Sequence, residues 1–259
     1  MIWASAWTYF AQGNSFGNNT QDIQKKLRSL YNAAGIKILV SAFGDSEFPT
    51  SSGEDPTTCG TKFGQFILDN NFDGGDVDWE DNQAMNRGTG EQWLIDFTIA
   101  VRKVIPNHIL SHCPQAPYFK NEYYVHGGYK TVHDKVGSLI DFYMLQCYNQ
   151  VDSRYDSYTE LFISASGVDF NGTAVKQIAS RGVPLNKLVV AKPILTSDAT
   201  NTGWVDSYSL GQWAVQAYNQ YGWYAGIGHW QYPSDLSGQA IMDSTGGLKA
   251  RCAQSKKCL

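Results

Sequence analysis

FDGGDVDWED, residues 72–81, sets carboxylates at every second position, Asp76, Asp78 and Glu80, directly after the glycine pair Gly74-Gly75. Alternate residues of a β-strand point to the same side, so the three acids share one face and Val77 and Trp79 take the other. Like charges placed so closely raise one another's pKa, and at least one of these carboxyls is expected to keep its proton near neutral pH. An exposed acidic edge fits poorly with the apolar Phe72, Val77 and Trp79 around the acids. A hard-metal site usually draws its oxygen ligands from loops or from several elements. The stretch therefore asks for a fold that aims the polar ends of its strands into a confined site, and it has the makings of a general acid.

Outward from this strand, short apolar segments alternate with longer amphipathic ones. Strands are expected over residues 2–10, 36–44, 72–80, 108–119, 140–150, 187–195 and 225–233. Helical patterns lie between them, among others over residues 21–35, 61–71, 90–104, 173–182 and 210–222, with Gly35 and Gly182 placed as C-terminal caps. Spacing of this kind, with no linker or low-complexity segment, predicts one domain of parallel βα units over residues 1–259 with a polar tail at 250–259. Most strands begin apolar and end polar or aromatic, as an α/β fold of the (β/α)8 TIM-barrel type requires. A closed barrel of that type has eight strands, and only seven candidates stand in the chain. Since the first begins at residue 2, the missing strand is expected before Met1, or the barrel is imperfect.

Composition narrows the partner. The 259 residues carry 20 Lys+Arg against 24 Asp+Glu, and no basic run exceeds the pair Lys25-Lys26, which argues against nucleic acid and anionic membrane. Fifteen Tyr and eight Trp supply flat amphipathic rings of the kind that suit sugar faces as well as cores. No apolar run is long enough to cross a bilayer, and no signal peptide is visible before the first ordered-looking segment, so the chain is expected to be processed or to lack its beginning. The five cysteines, Cys59, Cys113, Cys147, Cys252 and Cys258, follow no metal-site spacing, and their odd number leaves at least one thiol free. Cys252 and Cys258 could close a small disulfide loop in an exported chain. Asn18-Asn19-Thr20 and Asn171-Gly172-Thr173 are glycosylation sequons, which matter only in a secreted eukaryotic protein. His112 and His229 read as structural side chains rather than metal ligands, and with no nucleotide loop, Ser/His/Asp signature or metal cluster, no cofactor is implied.

The segment Asp73-Gly74-Gly75-Asp76-Val77-Asp78-Trp79-Glu80 matches the Asp-Gly-x-Asp-x-Asp-x-Glu signature of the family 18 glycoside hydrolases, the chitinases and related endo-β-N-acetylglucosaminidases. The resemblance extends over nearly the whole chain, whose strands look like the family's second through eighth. Ser41-Ala42-Phe43-Gly44 resembles the family's Ser-x-Gly-Gly, with Phe43 replacing one glycine, and the segment 113–118 resembles its proline-rich end of strand five. Met144-Leu145-Gln146-Cys147-Tyr148-Asn149 resembles the strand-six motif in its plant and fungal class III form, and Gly228-His229-Trp230-Gln231 resembles the last strand.

That resemblance implies retaining hydrolysis assisted by the substrate's own acetamido group, the family being an exception to the scheme with a protein nucleophile. Glu80 would be the general acid and base. Asp78 would hydrogen-bond the acetamido N–H, Asp76 would share a proton with Asp78, and Tyr148 would donate to the acetamido oxygen. Trp230 would form an apolar floor, with Gln146, Asn149, Gln115 and Met144 lining the same pocket. The implied partner is a polysaccharide or glycan containing N-acetylglucosamine, met by a secreted monomer. Two rivals remain open at this point: an endo-β-N-acetylglucosaminidase that cuts the chitobiose core of N-glycans, and a chitin-binding lectin without activity, which the presence of Glu80 disfavours.

Overall fold

Each of the seven segments expected to form strands contains one in the computed structural model, which describes residues 2–5 and 21–255. Residues 6–10 of the first strand candidate, the sequon at 18–20 and Cys258 lie outside the described residues. Two compact units divide the chain, the first comprising Met1–Pro114 and Asn121–Asp141, the second Gln115–Lys120 and Phe142–Leu259.

In the first unit, β1 (Ile2–Ser5), β2 (Ile36–Gly44), β3 (Gly74–Trp79) and β4 (Ile109–His112) pair in that order, all parallel. Its helices are α1 (Gln21–Ala33), α2 (Pro56–Asp69), α3 (Asn82–Arg87), α4 (Gly90–Val104) and α5 (Gly128–Val136). Val77 and Trp79 are fully buried and so are Ile67 of α2 and Leu94, Phe97 and Val101 of α4, so the apolar face of β3 has helices to pack on. The glycine pair has a steric reason. A Cβ on Gly75 would stand 2.6 Å from the Ile67 Cδ1 and 2.7 Å from the Phe63 ring of α2, and one on Gly74 would stand 2.1 Å from the Ile109 carbonyl oxygen. Asp73, the first acid of the motif, works as an anchor: its carboxylate accepts from the Ile38 N–H at 2.8 Å and pairs with Arg28 of α1 at 3.0 Å.

In the second unit, β5 (Phe142–Gln146), β6 (Leu188–Pro193) and β7 (Ile227–Trp230) are again parallel and in order. The helices are α6 (Val175–Ser180), α7 (Ser207–Tyr221) and α8 (Gln239–Ser255). Phe162 meets Trp223 edge to face at 4.9 Å, and the Trp223 indole N–H donates to the Leu188 carbonyl at 2.8 Å, tying the core to β6. Helices α7 and α8 approach through glycine, since a Cβ on Gly211 would lie 2.2 Å from the Asp243 carbonyl oxygen. Cys252 is disulfide-bonded, while Cys59, Cys113 and Cys147 are free thiols. Parallel strands joined by helical connections in each unit are consistent with a (β/α)8-like fold.

Candidate active site

Strand β3 delivers the acidic face as its alternation predicts. Asp76 is 2% exposed and Asp78 6%, while Glu80, one residue past the end of the strand, is half-buried. Parallel register sets Ser41 of β2 and Ser111 of β4 on either side of Asp76. Both hydroxyls donate to its carboxylate, Ser41 at 3.0 Å and Ser111 at 2.5 Å. Such bonds favour the ionised form. Burial outweighs them and lifts the Asp76 pKa to about 6, so this carboxyl exchanges its proton just below neutral pH. The expected crowding of like charges is therefore not the main reason for the shift; desolvation is.

Beside Glu80, Asp81 organises the rim. It is 1% exposed, and its carboxylate caps α3 by accepting from the Ala84 N–H at 3.1 Å. The same carboxylate accepts from the Ser51 N–H and the Ser51 hydroxyl, each at 2.6 Å. Two buried indoles pin the same β2–α2 loop: Trp79 donates to the Thr50 hydroxyl at 3.2 Å and Trp93 to the Glu54 carbonyl at 2.7 Å. A groove of about 400 Å³ results, with Glu80, Asp81, Asn82 and Gln83 on one side and Phe48, Ser51 and Ser52 of the pinned loop on the other. At the end of β2, Phe43 takes a left-handed backbone, φ 78°, the conformation for which glycine is suited, and spreads its ring against Trp93 and Phe97.

The remaining expected residues belong to the second unit. Met144 and Gln146 lie on β5, both buried, and Met144 packs where a Cβ on Gly228 of β7 would meet its sulfur at 2.9 Å. Gln115 forms an isolated parallel bridge with Gln146. Tyr148, two residues past β5, is 6% exposed, and Trp230 ends β7 half-buried. Asn149 braces a neighbouring loop, its side-chain oxygen accepting from the N–H groups of Thr200 at 2.8 Å and Asn201 at 3.3 Å. The two histidines make contacts within the fold. His112 shares hydrogen bonds with Thr98 and Tyr129, and burial, then the Arg102 charge, push its pKa down to about 3; His229 bonds the Ser244 hydroxyl at 2.7 Å.

No protein-family model matches the chain. Solved structures do match. A GH18 chitinase from Pseudoalteromonas aurantia is 25% identical, with 88% of this chain and 82% of that one covered at a TM-score of 0.72. A GH18 chitinase from Cycas revoluta, solved in complex with (GlcNAc)3, is 12% identical over 95% and 92% of the two chains, with a TM-score of 0.62. The chain resembles the family 18 chitinases. A xylanase-A-amylase inhibitor protein, XAIP-III, also shares the fold, at 14% identity over 83% and 76% of the chains and a TM-score of 0.55. Structural likeness of this kind supports a glycoside hydrolase, and the residues of β3 must carry the case for activity. Two contributors escaped the sequence reading, Ser111 and Asp81.

Proposed function

We propose that this protein is a chitinase that hydrolyses β-1,4-linked N-acetylglucosamine with retention, using the substrate's acetamido group as nucleophile. The observation that carries the reading is β3: Asp76 and Asp78 buried on one face, Asp76 with a pKa of about 6, and Glu80 next along that face at the edge of an open groove. Glu80 gives its proton to the glycosidic oxygen as the bond to the anomeric carbon breaks. The acetamido carbonyl oxygen bonds that carbon from the opposite side. Asp78 accepts the acetamido N–H and opposes the positive charge that develops, while Asp76 exchanges a proton with Asp78. The Glu80 carboxylate then takes a proton from water, whose oxygen attacks the anomeric carbon and restores the acetamide. Tyr148 is assigned to donate its hydroxyl to the acetamido oxygen, and Trp230, Gln146, Gln115, Met144 and Asn149 are assigned to sugar binding. Export belongs to the proposal, and the disulfide at Cys252 suits an oxidising compartment.

The test is hydrolysis of chito-oligosaccharides and of a high-mannose glycoprotein by the wild type and by Glu80→Gln. We expect cleavage of the oligosaccharides by the wild type and a loss of about 10²- to 10⁴-fold in the variant, with sugar binding retained. Cleavage of the glycoprotein alone would move the substrate to N-glycans. Binding without cleavage by the wild type would make it a lectin.

A further inference from the structure

Lys192 of β6 is completely buried, and none of the roles proposed above uses it. Its Nζ donates to three backbone carbonyls, those of Cys147 and Tyr155 at 2.7 Å and Gly203 at 2.8 Å. An ammonium has three donors, so every proton it carries has a partner. Burying a charge in an apolar strand is unfavourable unless it is paired, and here three main-chain carbonyls pair it. The lysine is thereby fixed to the segments that carry those carbonyls.

Two of its three carbonyls belong to segments that flank Tyr148. Cys147 precedes Tyr148 in the chain. Gly203 lies against it, so closely that a Cβ there would meet the Tyr148 Cα at 2.5 Å and its Cβ at 2.8 Å. The segment before Gly203 grips the residue after Tyr148: Asn149 donates its N–H to the Thr202 carbonyl at 2.8 Å and accepts from the N–H groups of Thr200 and Asn201. Lys192 thus gathers both sides of the setting in which Tyr148 sits.

We propose that Lys192 is a positioning residue that holds Tyr148 in its working place, and that loss of the lysine's proton releases this placement while the chain stays folded. The catalytic part of the inference rests on the hydrolase reading; the placement itself does not. Burial draws the Lys192 pKa down to about 8. The groups around it are the Cys147 thiol, whose pKa burial pushes up to about 12, the Tyr155 ring with its centroid 5.9 Å away, the carboxylates of Asp156 and Glu160, which oppose the fall, and His229, its register partner on β7, whose pKa burial lowers. A neutral amine has two donors for three carbonyls, so one carbonyl is left unbonded above that pH. The folded value lies below the ordinary 10.5, so between about pH 8 and 10.5 the unfolded chain binds more protons and stability rises with pH. Placement of Tyr148 and global stability should therefore move in opposite directions, which a merely structural lysine would not produce.

The experiment follows Tyr148 by NMR in protein carrying 13C-labelled tyrosine, its resonance assigned with Tyr148→Phe, while kcat on a chito-oligosaccharide and thermal melting are recorded over the same pH range. In the wild type the Tyr148 resonance should shift with a midpoint near pH 8. There the fall of kcat with pH should steepen by one proton, and the melting temperature should hold or rise. Lys192→Met should abolish the shift and the extra proton and lower kcat at neutral pH by about 10²-fold, as expected for a misplaced group, with a smaller change in KM. Adding Lys192→Met to Tyr148→Phe should cost little more than Tyr148→Phe alone. A Tyr148 resonance indifferent to pH between 7 and 9.5 overturns the proposal, as do additive losses in the double variant. Should Lys192→Met fail to fold, the wild-type NMR midpoint decides by itself. A shift near pH 8 in a protein that cleaves no sugar would leave the placement standing and sink only the hydrolase reading.

Discussion

Asp76 is bonded by two serine hydroxyls that favour its charge, yet burial keeps its pKa at about 6. Because the folded value exceeds the ordinary 3.8, the folded chain binds the extra proton between about pH 4 and 6. The resulting stability is fully present below pH 4 and lost as pH rises through 6. Compared with Asp76→Asn, the wild type should gain about 3 kcal/mol on going from pH 7 to pH 3.5, the worth of roughly two pKa units. Urea unfolding of both proteins across that range checks it, and parallel curves would refute the assignment. The alternation of Asp76, Asp78 and Glu80 was visible in the chain because strand period alone sorts them onto one face. The serines were not, because Ser41 and Ser111 come within bonding distance of Asp76 only through the register of β2 and β4 on β3. Asp81 was equally hidden, since its service to Ser51 spans 30 positions.

Among the elements, β3 shows how steric limits shape the motif. Its two glycines are required by neighbours on different elements, so their replacement should fail differently. Gly75→Ala presses a methyl onto the movable Ile67 and Phe63 side chains and should cost about 1–3 kcal/mol. Gly74→Ala presses on the backbone of β4 and should cost more, with part of the β3–β4 pairing lost; denaturant midpoints of the two variants would order them. The strands were legible because each is an apolar run bounded by glycine, proline or polar residues. Helix α4 was equally clear over residues 90–104, where nine of its residues are buried. Helix α8 holds Gly246 and Gly247, which ordinarily weaken a helical pattern, and it runs through residue 255 into the stretch expected as a polar tail at 250–259. The packing explains the second of them: a Cβ at Gly247 would stand 2.8 Å from Val215 of α7.

For the molecule as a whole, stability against pH combines groups that oppose one another. His112 is buried neutral, with its pKa down at about 3, so the unfolded chain takes up its proton first and stability falls as pH drops from 6.5 toward 3. Asp76 gains over nearly the same interval. The two should roughly cancel between pH 4 and 6, leaving a plateau that gives way below pH 4, where His112 still titrates together with Asp55 and Asp206, whose carboxyls are held below the ordinary value by hydrogen bonds from Thr58 and Ser209. Asp76→Asn should remove the plateau and show a continuous decline from pH 6.5, measurable by calorimetric melting at half-unit steps. The parallel βα organisation could be read from segment spacing alone, whereas the partners of buried ionisable groups depend on contacts between segments far apart in the chain. On the chitinase proposal, the triple anchoring of the β2–α2 loop by Trp79, Trp93 and Asp81 matters for the first encounter with a sugar chain. Since that wall stands before any ligand arrives, docking against it forfeits no freedom of the loop, and entry beside Glu80 should proceed at the pace of diffusion rather than wait on a closing flap.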